Sequence, residues 1–412
     1  MRAAIVLLLL SSLARADNSN FRPYVVGSRA AGMGGAFTAI ASDGSGPYYE
    51  PGGLAFVRRT QLSLSASVYG LVQGTFKDTF GNGFDANYRD VNVFPVSTAA
   101  VFKLRANTIA ICVFVPDAFK LDDRETIGAQ TNAFYVHQEL QTVWIGPTYA
   151  RRIGRLGIGA SGYLLIGTES INVDFTQLVG AGDAFGTSTA RTNITMFGFV
   201  GALGARYDVT DRLSLGAGLF TPEWGGGYRQ EFRRASAPNG GTVLNVDGLH
   251  ASPSLPWRLQ LGAALHFGRA SFALDLTFLA PRDVLDDPER ALDGLQRHVE
   301  RDGVVDVAVG GEYRVKDRVP LRAGFFTDFA QSPPPRGALA RDSAISTSHV
   351  DRVGFTASVG VKSEHTGTDA GLMATYGWGE QLLPGSSDFS SHVARAASEV
   401  HLYVFLASSY EF

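Results

Sequence analysis

The sequence predicts an all-β protein, a transmembrane antiparallel β-barrel of about fourteen strands with an N-terminal plug, or hatch, in its lumen. Three observations carry that expectation. Apolar and polar residues alternate with period two in segments of about ten residues or more. The connections between these segments are short and long in strict turn. The chain ends in an alternating strand, "HLYVFLASSYEF", with Leu402, Val404, Leu406, Tyr410 and Phe412 on one face.

Residues 1–16 read as a secretory signal peptide. Arg2 opens a basic region, Ile5 to Leu10 form an apolar run too short to span a bilayer, and Ala14-Arg15-Ala16 is a small-x-small cleavage site. The mature chain is expected to begin at Asp17. Loss of Arg2 and Arg15 moves the formal net charge from −3 to −5, so no nucleic-acid partner is expected. The single cysteine, Cys112, excludes an internal disulfide and reads as a small hydrophobe. No eighteen apolar residues run together after the leader, so no helical membrane span is expected.

The barrel, residues 61–412, is read from the alternation. In Arg155 to Gly167, Leu156, Ile158, Ala160, Gly162, Leu164 and Ile166 share a face opposite Gly157, Gly159, Ser161, Tyr163, Leu165 and Gly167. In "DVAVGGEYRV", Val307, Val309, Gly311 and Tyr313 oppose Asp306, Ala308, Gly310 and Glu312. Fourteen strands follow, roughly over 61–75, 93–105, 107–115, 132–152, 155–175, 190–208, 212–232, 250–268, 270–280, 303–316, 319–329, 350–363, 367–379 and 393–412. Long polar connections are expected over 76–92, 116–131, 176–189, 233–249, 281–302, 330–349 and 380–392. Turns short on one side and long on the other suit a barrel in an outer membrane, and an even strand count leaves both termini in the periplasm. The terminal phenylalanine, Phe412, reads as an assembly signal for the barrel-assembly machinery. Outer-membrane lipid and lipopolysaccharide are then the surroundings, and a monomer suffices.

The segment 17–60 precedes the first strand and holds "SRAAGMGGAFTAIASDGSGPYYEPGGLA". It has neither a helical stripe nor strand alternation. A barrel of this size is too wide to be filled by its own side chains, so small residues here suit a segment packed inside it. Gly157, Gly159 and Gly167 on the inward face would leave room for it.

These residues resemble the FadL-type outer-membrane transporters of long-chain fatty acids and other hydrophobic compounds. The resemblance lies in Gly32-Met33-Gly34-Gly35-Ala36-Phe37, Ala41-Ser42-Asp43-Gly44, Tyr48-Tyr49 and Glu50-Pro51-Gly52-Gly53-Leu54, with further echoes at 113–119, 146–162, 255–265 and 319–328. Glu50 stands where that family usually carries asparagine. The resemblance implies uptake of a hydrophobic small molecule by a Gram-negative cell, without cofactor or covalent chemistry. A plug shift would release the ligand through the barrel wall. On it, Gly32, Gly34, Gly35, Phe37, Asp43, Glu50 and Pro51 are the expected plug and gating residues.

The alternation places Arg258, Asp275, Asp306, Glu312, Arg314, Arg322, Asp328, Arg352 and Glu399 in the lumen. Most should pair across neighbouring strands or tie down the plug. Arg322 and Arg258 are the candidates for a carboxylate head group. Segment 281–302 reads as a helix capped by Asp287, with Pro288 in its first turn and Leu292, Leu295 and Val299 on one face. "TPEWGGGYRQEF" (221–232), with three successive glycines, suggests a kink or bulge.

Other motifs carry no chemistry. Gly157-Ile158-Gly159-Ala160-Ser161-Gly162 matches a dinucleotide pattern but lies within a strand. The histidines show no metal-ligand spacing, and there is no G-x-S-x-G elbow to join His401 in an esterase. The competing readings are a structural or secretion-associated barrel that binds a protein partner, and an open porin. An apolar pocket beneath the outer mouth would favour the carrier.

Overall fold

The computed structural model describes residues 20, 24–78, 83, 85–95, 97–127, 132–178, 185–237, 244–251, 255–285, 298–316, 318–335, 348–384 and 392–412. The expected leader and Asp17 lie outside them.

Fourteen antiparallel strands form a closed barrel. They are β1 (Gln61–Phe76), β2 (Ala86–Pro95, resuming as Ser97–Leu104), β3 (Asn107–Ile127), β4 (Asn132–Ile153), β5 (Leu156–Leu178) and β6 (Phe185–Asp208). There follow β7 (Leu213–Phe220, resuming as Trp224–Ala237), β8 (Leu244–Ala251, resuming as Arg258–Phe267), β9 (Ala270–Leu279) and β10 (Val304–Lys316). The last four are β11 (Val319–Asp328), β12 (Ser348–Lys362), β13 (Thr366–Pro384) and β14 (His392–Glu411). Closure is made by β14 on β1, from Gln61 opposite Glu411 to Phe76 opposite Ala397. The Phe412 N–H adds a bond to the Thr60 carbonyl at 2.9 Å.

The alternation sorts side chains as the pattern requires. On β14, Leu402, Val404, Leu406 and Tyr410 are exposed, whereas His401, Tyr403 and Phe405 are buried. On β10, Val309 and Tyr313 face out while Asp306, Ala308 and Glu312 are buried. Tyr149, Tyr207, Tyr313 and Tyr410 lie towards the short-turn rim of this apolar outer surface. Trp224, Trp257, Tyr376 and Trp378 lie towards the opposite one. Two aromatic girdles around an apolar band are what a bilayer selects. Two of the tightest turns begin with Gly154 at φ 61° and Gly268 at φ 57°, a conformation costly for residues with a Cβ.

Two expectations are corrected. Segments 116–131, 176–189 and 233–249 are mostly strand, because β3 to β6 run on for 21–24 residues each and the outer pieces of β7 and β8 extend to Ala237 and from Leu244. The ladder of β5 and β6 continues from Leu156 opposite Tyr207 to Leu178 opposite Phe185. Beyond the bilayer no face must be apolar, so the alternation fades while the backbone pairing persists. The helix expected over 281–302 is not formed at its ends. Arg282–Leu285 pairs with His298–Arg301 as a two-stranded hairpin, with Val299 opposite Val284. Asp287, Pro288, Leu292 and Leu295 lie outside the described residues.

The strand expected over 212–232 breaks at 221–223, ahead of the three glycines where a kink or bulge is expected, and this break is part of a larger feature. Phe220 pairs with Arg258, Arg258 with Leu279, and Leu279 with Val304. At this row β7 and β8 are interrupted, β9 ends and β10 begins. Two breaks and two strand ends are thus aligned at one height of the wall.

Candidate functional site

Residues 24–57 are almost wholly buried among the inward side chains. They comprise one helical turn, α1 (Ser28–Gly32), and three 3₁₀ turns, Thr38–Ile40, Gly46–Tyr48 and Pro51–Phe56. None is long enough to satisfy its own backbone, so the wall supplies partners. Asp275 of β9 does most here: one carboxylate oxygen accepts from Phe37 N and Thr38 N at 2.8 Å each and from Thr38 Oγ1 at 2.7 Å. Tyr163 Oη donates to the Pro47 carbonyl at 3.0 Å, and Arg258 Nη2 to the Tyr48 carbonyl at 3.0 Å. Tyr24 Oη donates to the Val115 carbonyl at 2.6 Å.

The wall side of this contact is made of glycines. A Cβ on Gly324 would meet the Met33 carbonyl carbon at 2.2 Å, and one on Gly310 the Met33 oxygen at 2.3 Å. Gly216 faces the Thr38 carbonyl, Gly218 the Tyr49 carbonyl, Gly204 the Pro51 ring, and Gly159 the Pro51 carbonyl. Of the three glycines picked out by pattern, Gly157 and Gly159 meet this segment, whereas Gly167 faces Met196 and Thr142. On the segment itself, Gly34 sits at φ 64° with its Cβ position 2.8 Å from Phe325 N. Both constraints exclude a side chain.

The remaining plug candidates divide by what they touch. Gly32 packs on Ser358 and gives its carbonyl to Thr356 Oγ1 at 3.2 Å, and Gly35 follows at φ 82°. The Phe37 ring lies edge-on to Tyr49, 5.4 Å away. Asp43 shapes its own turn by accepting from Ser45 N and Ser45 Oγ. Glu50, fully buried, accepts from the Gly52 N–H and caps the third 3₁₀ turn, which Pro51 opens. Burial pushes its carboxyl up to about 8, opposed by the Gly52 and Gly53 N–H groups and by Arg206.

Of the two head-group candidates, Arg322 is committed to carboxylates. It donates to Glu312 at 2.8 Å and Asp369 at 2.7 Å, and Glu312 also receives Arg29 of the luminal segment at 3.2 Å. Ser28 Oγ joins the same cluster through Asp369 at 3.0 Å. Arg322→Ala should therefore leave buried Glu312 with only the longer contacts to Arg29 and Arg314 and half-buried Asp369 without its guanidinium, and cost about 3 kcal/mol of stability. The check is the temperature at which the folded barrel loses its compact gel mobility; an unchanged transition would remove Arg322 from this role. Arg352 forms an analogous centre with Asp328 and Glu399.

Arg258 is placed differently. It lies against an apolar cavity with about 970 Å³ of space not filled by protein, part of it open to solvent. Trp144, Leu165, Val200, Phe220, Leu255 and Leu279 supply much of its wall, and Tyr48 of the luminal segment closes one side. The guanidinium sits 3.6 Å from the Phe220 ring centroid and 4.9 Å from that of Tyr48. Its charged lining is balanced: Arg258 and Arg301 against Asp117 and Glu223. Asp275, placed in the lumen by the alternation among charges expected to pair or to tie down the segment, does the latter. Pattern reasoning missed Tyr48, Trp144 and Phe220 as lining, which nothing local marks.

The cavity reaches the row of aligned breaks. On the lipid side of the same row lies an apolar hollow lined by Leu219, Trp257, Leu259, Phe278, Leu279 and Val305, among others, so Leu279 borders both spaces. Among the described residues the regular ladder gives way there to individual bonds: Ala280 N donates to the Trp257 carbonyl at 2.9 Å, Glu223 N to the Leu255 carbonyl at 3.2 Å, and Arg282 to the carbonyls of Leu255 and Glu223.

No protein-family model and no curated sequence relative matches the chain. Solved structures do match. A Pseudomonas aeruginosa FadL homologue superposes with a TM-score of 0.65 at 13% identity, over 95% of this chain and 100% of that one. The Pseudomonas putida toluene transporter TodX gives 0.63 at 16% identity, over 95% and 99%. The Ralstonia pickettii toluene transporter TbuX gives 0.61 at 14%, over 94% and 98%. At such identities the shared property is the fold, and this chain has the fourteen-strand barrel fold of FadL-type proteins.

Proposed function

We propose that the protein is a FadL-type outer-membrane transporter that carries hydrophobic small molecules into a Gram-negative cell. One observation carries the reading: an apolar cavity inside a closed barrel, stopped on one side by the buried segment and separated from the lipid face by a broken stretch of wall. In this reading residues 17–60 are the plug, the short turns face the periplasm, and the long connections face outward. Each methylene moved from water into such a cavity gains about 0.8 kcal/mol, which binds an alkyl or aryl compound with few polar contacts. Arg258 is the polar contact for the ligand. With Asp117 and Glu223 also lining the space, a neutral hydrocarbon fits better than a carboxylate. The ligand leaves sideways through the row Phe220, Arg258, Leu279 and Val304, where Arg282 holds the freed carbonyls. The relatives of like fold include toluene transporters by name, which supports the ligand class.

The experiment compares uptake of labelled toluene, oleate and a small hydrophilic dye by cells lacking their own hydrophobic-compound transporters. The wild-type chain is expected to admit toluene without dye leak, and a form lacking 17–56 to leak dye. Absence of uptake of either hydrophobic compound by a correctly folded barrel would sink the reading. Arg282→Ala is expected to change hydrocarbon uptake by severalfold with the dye still excluded. An unchanged rate would move the exit elsewhere.

A further inference from the structure

The short-turn end holds another cavity, with about 730 Å³ of unfilled space, part of it open to solvent, beside the point where the luminal segment leaves the barrel. Its charged lining is Arg58, Lys103, Arg105 and Arg152, with no carboxylate. The larger cavity it joins, through Phe56, Val57, Arg58 and Arg152, is mixed: Asp43, Asp208, Asp369 and Glu411 line it beside its cations. Local repulsion among cations is therefore concentrated in the smaller space.

None of the four cations has an ion-pair partner among the described residues. Lys103 Nζ donates to the Ala55 carbonyl at 2.8 Å and to Thr108 Oγ1 at 3.3 Å. Arg152 Nε donates to the Gly154 carbonyl at 3.0 Å, and its guanidinium lies 4.7 Å from the Phe56 ring centroid. Arg105 sits in the two-residue turn between β2 and β3 at φ 56°, where glycine or asparagine would cost less. A guanidinium kept at that backbone cost points to a use for its charge. Phe102, Leu104 and Ile153, next to these cations in sequence, are exposed on the outer apolar surface. The cavity thus lies at the edge of the apolar band.

We propose that this cavity binds the phosphodiester headgroup of an anionic phospholipid, whose acyl chains lie along Phe102, Leu104 and Ile153. Guanidinium groups match phosphate oxygens in fork geometry, and a lysine adds a point charge. Such a lipid would neutralise the cluster at the foot of the plug and tie the Phe56 exit to the leaflet beside it. The transport reading determines only which leaflet that is. Binding itself does not depend on it, so the two ideas fail separately.

The test uses the full chain, delipidated in detergent and titrated under native mass spectrometry with three probes: dihexanoyl phosphatidylglycerol, dihexanoyl phosphatidylcholine and inorganic phosphate. Phosphatidylglycerol is expected to bind about tenfold tighter than either of the others, the scale of one to two interfacial charges. The double variant Arg58→Gln, Arg105→Gln is expected to lose about that factor while retaining compact gel mobility. Arg105→Gly suits the turn's φ, removes one guanidinium and keeps the test decisive if the double variant does not fold. Equal binding of phosphatidylglycerol and phosphatidylcholine overturns the proposal. So does equal binding of inorganic phosphate, or an undiminished affinity in a folded variant.

Discussion

Wild-type protein in a planar bilayer is expected to open more often at about pH 9 than at about pH 6, and Glu50→Gln is expected to abolish that dependence. Glu50 is fully buried beneath the third 3₁₀ turn, with Gly204 of β6 packed against it. Its carboxyl, pushed up to about 8 by burial, is neutral in the seated segment and ionised in a displaced one over the intervening range. The displaced state then binds fewer protons, so the seat weakens as pH rises. The loss begins near the ordinary value of 4.5 and is complete above about 8, and it amounts to on the order of 5 kcal/mol for that single group. Glutamine retains an acceptor for the Gly52 N–H without the charge. Glu50→Ala should instead loosen the seat at every pH, because the N–H loses its cap. Open probability that is flat with pH in the wild type, or equally steep in Glu50→Gln, would remove Glu50 from the closure.

The second large effect is expected at the glycine track. Gly324→Val should admit a small hydrophilic dye in a barrel that still inserts and migrates as folded. The added Cβ would lie 2.2 Å from the Met33 carbonyl carbon and 2.3 Å from Gly34 N, contacts that no rotamer relieves because both partners are backbone. Gly34 has little room to retreat, being held at φ 64° against Phe325. Overpacking a rigid contact costs about 1–3 kcal/mol or more, enough to shift a seated segment without dismantling a closed ladder. Gly311→Val is the control. It lies on the neighbouring strand β10, opposite Ala323, with its Cβ position facing only Phe272, at 3.6 Å, and Ser271. If Gly324→Val excludes dye as well as Gly311→Val does, the segment is not seated by this track.

The outward faces were legible because a bilayer and a lumen impose opposite polarity on successive residues. Leu402, Val404 and Leu406 could hardly point elsewhere. The extensions of β3 to β6 were misjudged as connections for the complementary reason: outside the bilayer both faces meet water, so pairing leaves no periodic trace. In the 281–302 segment the helical spacing of apolar residues did not prevail at the ends, where Val284 and Val299 pair across a hairpin. Inward glycines at Gly157 and Gly159 were readable as spare room. That Gly310 and Gly324 face Met33 and Gly34 was not, since the partners are nearly three hundred positions apart in the chain.

By itself, then, the sequence determined an all-β barrel with its strand order, its lipid face and a small-residue segment placed before the first strand. Those follow from local periodicity and turn chemistry, which each stretch carries without reference to the others. Only the tertiary structure decided that Arg322 is spent on Glu312 and Asp369 while Arg258 borders the apolar cavity. It alone brought three donors of the luminal segment onto one oxygen of Asp275, and it alone aligned the breaks beside Phe220, Arg258, Leu279 and Val304. These depend on the register of one strand against the next and on how the enclosed segment threads the lumen. Both are set by the closing of the whole ladder, and no single stretch of residues contains them.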